Sequence, residues 1–220
     1  MKNLFFFAIL ASTMSCRPNL NTEPQTVLTD FTPMKVGNYW IYQIFKEDNA
    51  GVFQPTNQFD STYIASDTLV RGNKYYKFVS PYGGSIDRVS PNEITFLRDS
   101  ADYLISGFNG RKTFSSTNFT DELDRFTMTI SNTSTDTVYT STIKMLNNTS
   151  TVVPAGAYNT LTANQVQDIY QSYRGNNQRF RNYNTRFFAE NIGNVKEELC
   201  NYLMQPQPRE EKRLVRYKVN

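Results

Sequence analysis

Histidine is absent from this 220-residue chain, cysteine occurs only at positions 16 and 200, and tryptophan only at position 40. Each scarcity removes a class of chemistry. Without histidine there is no Ser-His-Asp arrangement, no imidazole general base and none of the common zinc ligand sets. Two cysteines are too few for a disulfide framework, and pairing them would tie the N-terminal region to a late strand for little gain. Cys200, in VKEELCNYL, reads as a small buried strand residue, because a thiol nucleophile needs a base. Carboxylates remain. Glu190, Glu197 and Glu198 lie close in sequence, but adjacent strand residues such as Glu197 and Glu198 point to opposite faces and cannot form a glycosidase pair. No acidic run has calcium-loop spacing, and the glycine turns lack the strand-to-helix setting of a phosphate cradle. The chain therefore reads as non-enzymatic, with no catalytic residue, no metal site and no cofactor.

Long apolar runs are scarce too. The one that stands out, residues 4–11, follows Lys2 and leads through small residues to Ser15-Cys16, the order of a secretory signal. It is shorter than the roughly 20 residues a membrane span needs. Because Ser15 directly precedes Cys16, the segment resembles a bacterial lipoprotein signal. That resemblance implies that the Cys16 thiol is diacylated and becomes the first mature residue; an ordinary secretory cleavage would leave it a free thiol. Residues 1–15 are then the signal peptide and 16–30 a lipidated tether, whose sequence RPNLNTEPQTVLTD holds two prolines and no apolar period. Residues 31–220 remain for the folded domain.

A strong charge of either sign is also missing. The formal net charge is +3 and falls to +2 without the leader and its single Lys2, too mild to call for a nucleic acid or an anionic surface.

What the chain does hold is aromatic residues. Fourteen Tyr, 16 Phe (three of them in the leader) and Trp40 stand beside abundant Thr, Asn and Ser, the composition of strands and turns. In NYWIYQIF, Trp40, Tyr42 and Ile44 alternate with Tyr39, Ile41, Gln43 and Phe45, a strand with two apolar faces, expected to be covered on both sides and to bury Trp40. STYIASDTLVRGNKYYKFVS predicts a hairpin, with Gly72-Asn73 taking the positive φ angles of its turn. Further short strands follow at regular spacing. TANQVQDIYQSYRGN is the best helix candidate, yet its Thr and Tyr content favours strand. The fold class is all-β: an antiparallel curved sheet forming a half-barrel, barrel or sandwich.

YRGNNQRFRNYNTRFF interleaves Arg174, Arg179, Arg181 and Arg186 with Tyr173, Phe180, Tyr183 and Phe187. Such a mixture can stack single-stranded nucleic acid, but an exported address argues against that partner. The reading preferred is a strand pair with one face buried and one solvated; a glycan or an envelope protein suits the same surface.

Three pieces, FTPMKVGNYWIY, VVPAGAYNTLTA and FFAENIGNVKEEL, resemble a set of Bacteroidetes-type envelope lipoproteins. Gly37-Asn38, Pro154-Ala155-Gly156 and Ile192-Gly193-Asn194 within them read as turns that need an open φ. More loosely, the group is similar to the half-barrel carriers LolA and LolB. The resemblance implies an envelope lipoprotein acting as a binding or carrier module for a hydrophobic or glycan ligand. Because Arg17 and the residues after it lack the acidic run that resembles a surface-export signal, the outer membrane facing the periplasm is expected, with the cell surface as the alternative. The other function to be expected is an accessory protein that docks an envelope partner. O-glycosylation in such envelopes follows an Asp-Ser/Thr pattern, which makes Ser61, Thr68, Ser100 and Thr137 candidates.

Overall fold

The computed structural model describes residues 30–81, 84–85, 88–89, 93–100, 102–131, 135–173, 176–200 and 209–220. The signal peptide, Cys16 and the tether before Asp30 lie outside the described residues. The chain forms β1 (Tyr39–Glu47), β2 (Phe53–Val70), β3 (Asn73–Ser80), β4 (Gly84–Ser85), β5 (Arg88–Val89), β6 (Glu93–Ser100) and β7 (Tyr103–Ser106). There follow β8 (Arg111–Ser115), β9 (Glu122–Ser131), β10 (Thr135–Val153), β11 (Gly156–Tyr173), β12 (Asn176–Ala189), β13 (Gly193–Cys200) and β14 (Glu210–Lys218). Among the described residues there is no helix; the helix candidate lies within β11.

Twelve strands make one antiparallel sheet in the order β8-β7-β6-β3-β2-β1-β14-β13-β12-β11-β10-β9, and β4 pairs only with β5. The sheet curls until its two edges meet side by side. Arg111 Nε on β8 lies 2.9 Å from Asp124 Oδ2 on β9, and Phe114 and Leu123 from the same two strands share one core cluster. Among the described residues no ladder joins β8 to β9, so the barrel is nearly, not fully, closed. Irregular register in β1, β2, β10 and β12–β13 supplies extra bend, as inserted residues do.

Alternation decides what the barrel encloses. Trp40, Tyr42 and Ile44 are buried on one face of β1. On the other face Tyr39, Ile41 and Gln43 are only half-buried, while Phe45 is buried beneath the Arg213 guanidinium, 4.0 Å from its ring centroid. Full cover on both sides of this strand, expected from its apolar character, therefore holds only at its Phe45 end.

The β2–β3 hairpin forms where expected, but its positive φ angles fall on Arg71 and Gly72, with Asn73 already paired to Val70. Two-residue turns of this kind put both central residues at positive φ. Gly37 (φ +90°) and Gly193 (φ +99°) also hold the conformations expected of their turns.

Two clusters fill much of the barrel. One joins Leu104, Phe114, Leu123, Ile143, Met145, Leu161, Ala163 and Phe188. The other joins Trp40, Tyr42, Ile64, Val153, Ala189, Val195 and Leu214. The segment before β1 crosses the barrel end: Phe31 packs on Phe114 at 5.7 Å, and Asn191 N donates to Asp30 O. Buried Asn38 locks this segment to the C-terminus. Its Nδ2 donates to Pro33 O, and its Oδ1 accepts from Asn220 N and Nδ2.

Candidate functional site

Between the two clusters the barrel holds a partly open cavity of about 320 Å³, with Thr32 and Pro33 of the crossing segment in its wall. One side is apolar: Trp40, Phe78, Leu97, Leu104 and Phe188. Trp40 stacks on Phe78 at 6.1 Å and 19°, and its Nε1 donates to Ile192 O at 2.6 Å. A Cβ at Gly193 would meet Trp40 Nε1 at 3.4 Å, ordinary contact, so it is the φ of +99° that calls for glycine there.

The other side is polar, and strand register assembles it. Asp60 on β2 stands opposite Tyr42 on β1; Lys212 on β14 stands opposite Glu197 on β13; Glu197 stands opposite Arg186 on β12. Residues opposed in antiparallel strands share a face, so these side chains converge on the cavity. Lys212 Nζ lies 2.5 Å from Asp60 Oδ2, both side chains being almost wholly buried. Burial opposes the lysine's charge, but Glu197, Asp60 and exposed Glu93 at the rim outweigh it and hold its pKa above the ordinary value. Burial, with Glu197 and Asp60 adding to it, pushes the Tyr42 hydroxyl well up. Tyr42 thus stays a phenol and donates to Asn194 O at 2.9 Å.

Hydrogen-bonding capacity is left over on this side. Arg186 Nε and Glu197 Oε1 are 4.0 Å apart, too far for a hydrogen bond. Buried Arg186 Nε, Asn184 Oδ1 and Asn194 Oδ1 all lack a hydrogen-bond partner in the protein, and all three residues line the cavity. Native interiors rarely leave such groups unmatched, and each one carries a desolvation cost. A wider hollow of about 710 Å³, walled by Phe53, Tyr183 and Phe187, offers a contrast. Its charged side chains are matched: Glu47 with Arg209, Glu198 with Lys196 and Glu210 with Lys46.

The residues singled out by sequence fall in several places. Cys16 lies outside the described residues. Thr68 is exposed on β2, Ser61 and Ser100 are half-buried at β2 and the end of β6, and Thr137 and Cys200 belong to β10 and β13. Of the arginine-aromatic stretch, Arg174 lies outside the described residues. Exposed Arg179 and Arg181 both engage Asp168, at 3.1 and 2.8 Å, whereas Arg186 turns into the cavity. Glu197 and Glu198 do part company, the first to the cavity and the second to Lys196, 2.7 Å away. Sequence reasoning missed Asp60, Asn184, Asn194 and Lys212; the available signal was polar residues at inward positions of alternating strands. Among the described residues no three His, Cys, Asp or Glu side chains group to hold a metal ion.

No protein-family model matches the chain, and no curated protein matches it. Among solved structures it is similar to a candidate lipoprotein from Parabacteroides distasonis ATCC 8503, with a TM-score of 0.56 and 12% identity over 86% of this chain and 99% of that one. A candidate exported protein with a YmcC-like fold from Bacteroides fragilis NCTC 9343 aligns with a TM-score of 0.45 and 12% identity, over 86% of this chain and 98% of that one. Neither is described as a LolA or LolB carrier, and that expectation rests on the sequence alone. At this identity the likeness to the Parabacteroides distasonis protein is one of fold: an all-β chain curled into a nearly closed barrel.

Proposed function

We propose that this chain is a lipid-anchored envelope protein, held to the outer membrane through Cys16 and facing the periplasm, whose barrel binds or carries a small hydrophobic or glycan ligand without transforming it. The observation that carries the binding reading is the cavity of about 320 Å³ with an apolar wall on one side and three unmatched polar atoms on the other. That volume lies at the lower end of the roughly 300–1,000 Å³ of ligand pockets, and a mostly apolar lining with a few convergent polar groups is their usual form. Envelope location is supported by the Ser15-Cys16 leader and by the name of the Parabacteroides distasonis neighbour. Two acyl chains hold a protein stably where one does not. Incorporation of a fatty-acid analogue into the wild type, its loss in Cys16→Ala and release of that variant from membranes are expected; an unlabelled wild type defeats the anchor.

A second reading, an accessory protein docking an envelope partner, rests on Phe126 and Met128, both exposed on β9 at the sheet edge. Native copurification analysed for both lipids and proteins separates the two. A stoichiometric small molecule supports the carrier, and a stoichiometric protein with an empty cavity supports docking.

A further inference from the structure

Resting on the binding reading, we infer that the cavity selects an uncharged, hydroxyl-bearing head group joined to an apolar group, and discriminates against anionic amphiphiles. Among the described residues, the charged groups facing the cavity are Asp60, Glu93 and Glu197 against Arg186 and Lys212. Lys212 is already bound to Asp60, and Arg186 lies opposite Glu197. Each cation thus already has a carboxylate beside it, so an incoming carboxylate or phosphate competes with Asp60 and Glu197 for their charge. Such an anion would sit in a partly enclosed space with a net negative charge, where repulsion is weakly screened.

The unmatched atoms make the same choice by hydrogen-bond type. Arg186 Nε is a donor, while Asn184 Oδ1 and Asn194 Oδ1 are acceptors. A carboxylate accepts only, so it would answer the arginine and leave both amide oxygens unpaired. An ammonium donates only, so it would answer the amides and leave the arginine. A hydroxyl does both. Turning either amide over exchanges an acceptor for a donor: a hydroxyl matches either orientation, whereas a carboxylate matches the whole set only if both amides are turned. Trp40, Phe78 and Leu104, which also line the cavity, provide the surface for an alkyl chain or the C–H face of a sugar.

The head group's chemistry is shared by a neutral glycolipid or acylglycerol and by a free sugar, and the test separates them. The full chain bearing Cys16→Ala is titrated with n-octyl β-glucoside below its micelle concentration, octanoate, octylammonium and glucose. Trp40 emission and calorimetry report binding. Octyl glucoside is expected to bind saturably and at least about ten-fold tighter than octanoate or octylammonium, the factor expected when a buried polar atom is left unpaired. Glucose binding as tightly as octyl glucoside keeps the head-group choice, overturns the joined apolar group and names the free sugar as the source; weaker glucose binding names the amphiphile. Asn184→Leu, at a half-buried position, is expected to weaken octyl glucoside about ten-fold while leaving octanoate nearly unchanged, because only a donor answers that amide oxygen. Arg186→Leu is expected to weaken both octyl glucoside and octanoate, since each accepts from its Nε; if that variant does not fold, Asn184→Leu carries the comparison alone. Tighter binding of octanoate or octylammonium than of octyl glucoside overturns the head-group inference and leaves the cavity reading intact. No saturable response to any of the four probes by either method overturns both.

Discussion

Two regions inside the barrel are built by the same inward alternation and end differently. Around Phe114, Ile143 and Leu161 the inward positions are apolar, and they close into a solid cluster, with the Phe114 ring tilted against Phe188 at 4.5 Å and against Phe31 at 5.7 Å. Around Asp60, Lys212, Glu197 and Arg186 the inward positions carry charge, and space remains beside them. A region that served stability alone would gain by filling that space with apolar side chains, because a buried ion pair is often no more stabilising than its hydrophobic replacement. The contrast teaches that the packed region holds the barrel together, while the charged region keeps a shape and a set of hydrogen-bonding groups that packing alone does not require.

The largest expected effect tests the packed region. Phe114→Ala removes a side chain that is almost fully buried and touches both a barrel strand and the crossing segment. A loss of about 3–5 kcal/mol is expected in urea unfolding; a loss under about 1 kcal/mol would mean that this cluster is not the barrel's main support.

The next effect tests the charged region. Asp60→Leu strands Lys212 without its partner in a buried setting, and about 3 kcal/mol should be lost. Adding Lys212→Met to Asp60→Leu removes the stranded charge as well and should return stability close to that of the parent. If the double variant stays as unstable as the single, the pair stabilises the barrel outright and the contrast between the regions fails.

The smallest effect is on pH. Tyr42 and Lys212 both hold pKa values above their ordinary 10.0 and 10.5 in the folded protein. At these two groups the folded state then binds protons more tightly than the unfolded one, so their contribution to stability is full below about pH 10 and falls as pH rises through the folded values. Tyr42→Phe should make the decline above pH 10 shallower in thermal unfolding, and an unchanged slope would mean that Tyr42 contributes nothing to the charged region's response to pH.

Much of the fold was legible. Strict alternation in NYWIYQIF announced that Trp40, Tyr42 and Ile44 share a buried face, and all three are buried. The turns at Gly37 and Gly193 were readable because few residues other than glycine take such φ angles. The β2–β3 hairpin forms where the sequence puts it, but its positive φ angles sit one residue earlier, at Arg71 and Gly72, because the ladder between Val70 and Asn73 sets the turn's frame. Less of the site was legible. In the sequence Glu197 is a carboxylate without a mate, and Arg186 is one of four arginines among aromatics.

The sequence by itself determined the strand content, the turn positions and, through local alternation, which side chains share a face, since these depend on neighbours two to four residues away. The absence of histidine likewise narrowed the chemistry through composition alone. Only the tertiary structure decided that Asp60 meets Lys212 across 152 positions of sequence, that Glu197 finds Arg186, and that Asn184 and Asn194 turn unmatched atoms toward a common space. The physical reason is register. One residue of slip in any strand sends its polar residue to the other face, and the pairing that prevents slip is a property of the whole curled sheet, not of any stretch within it.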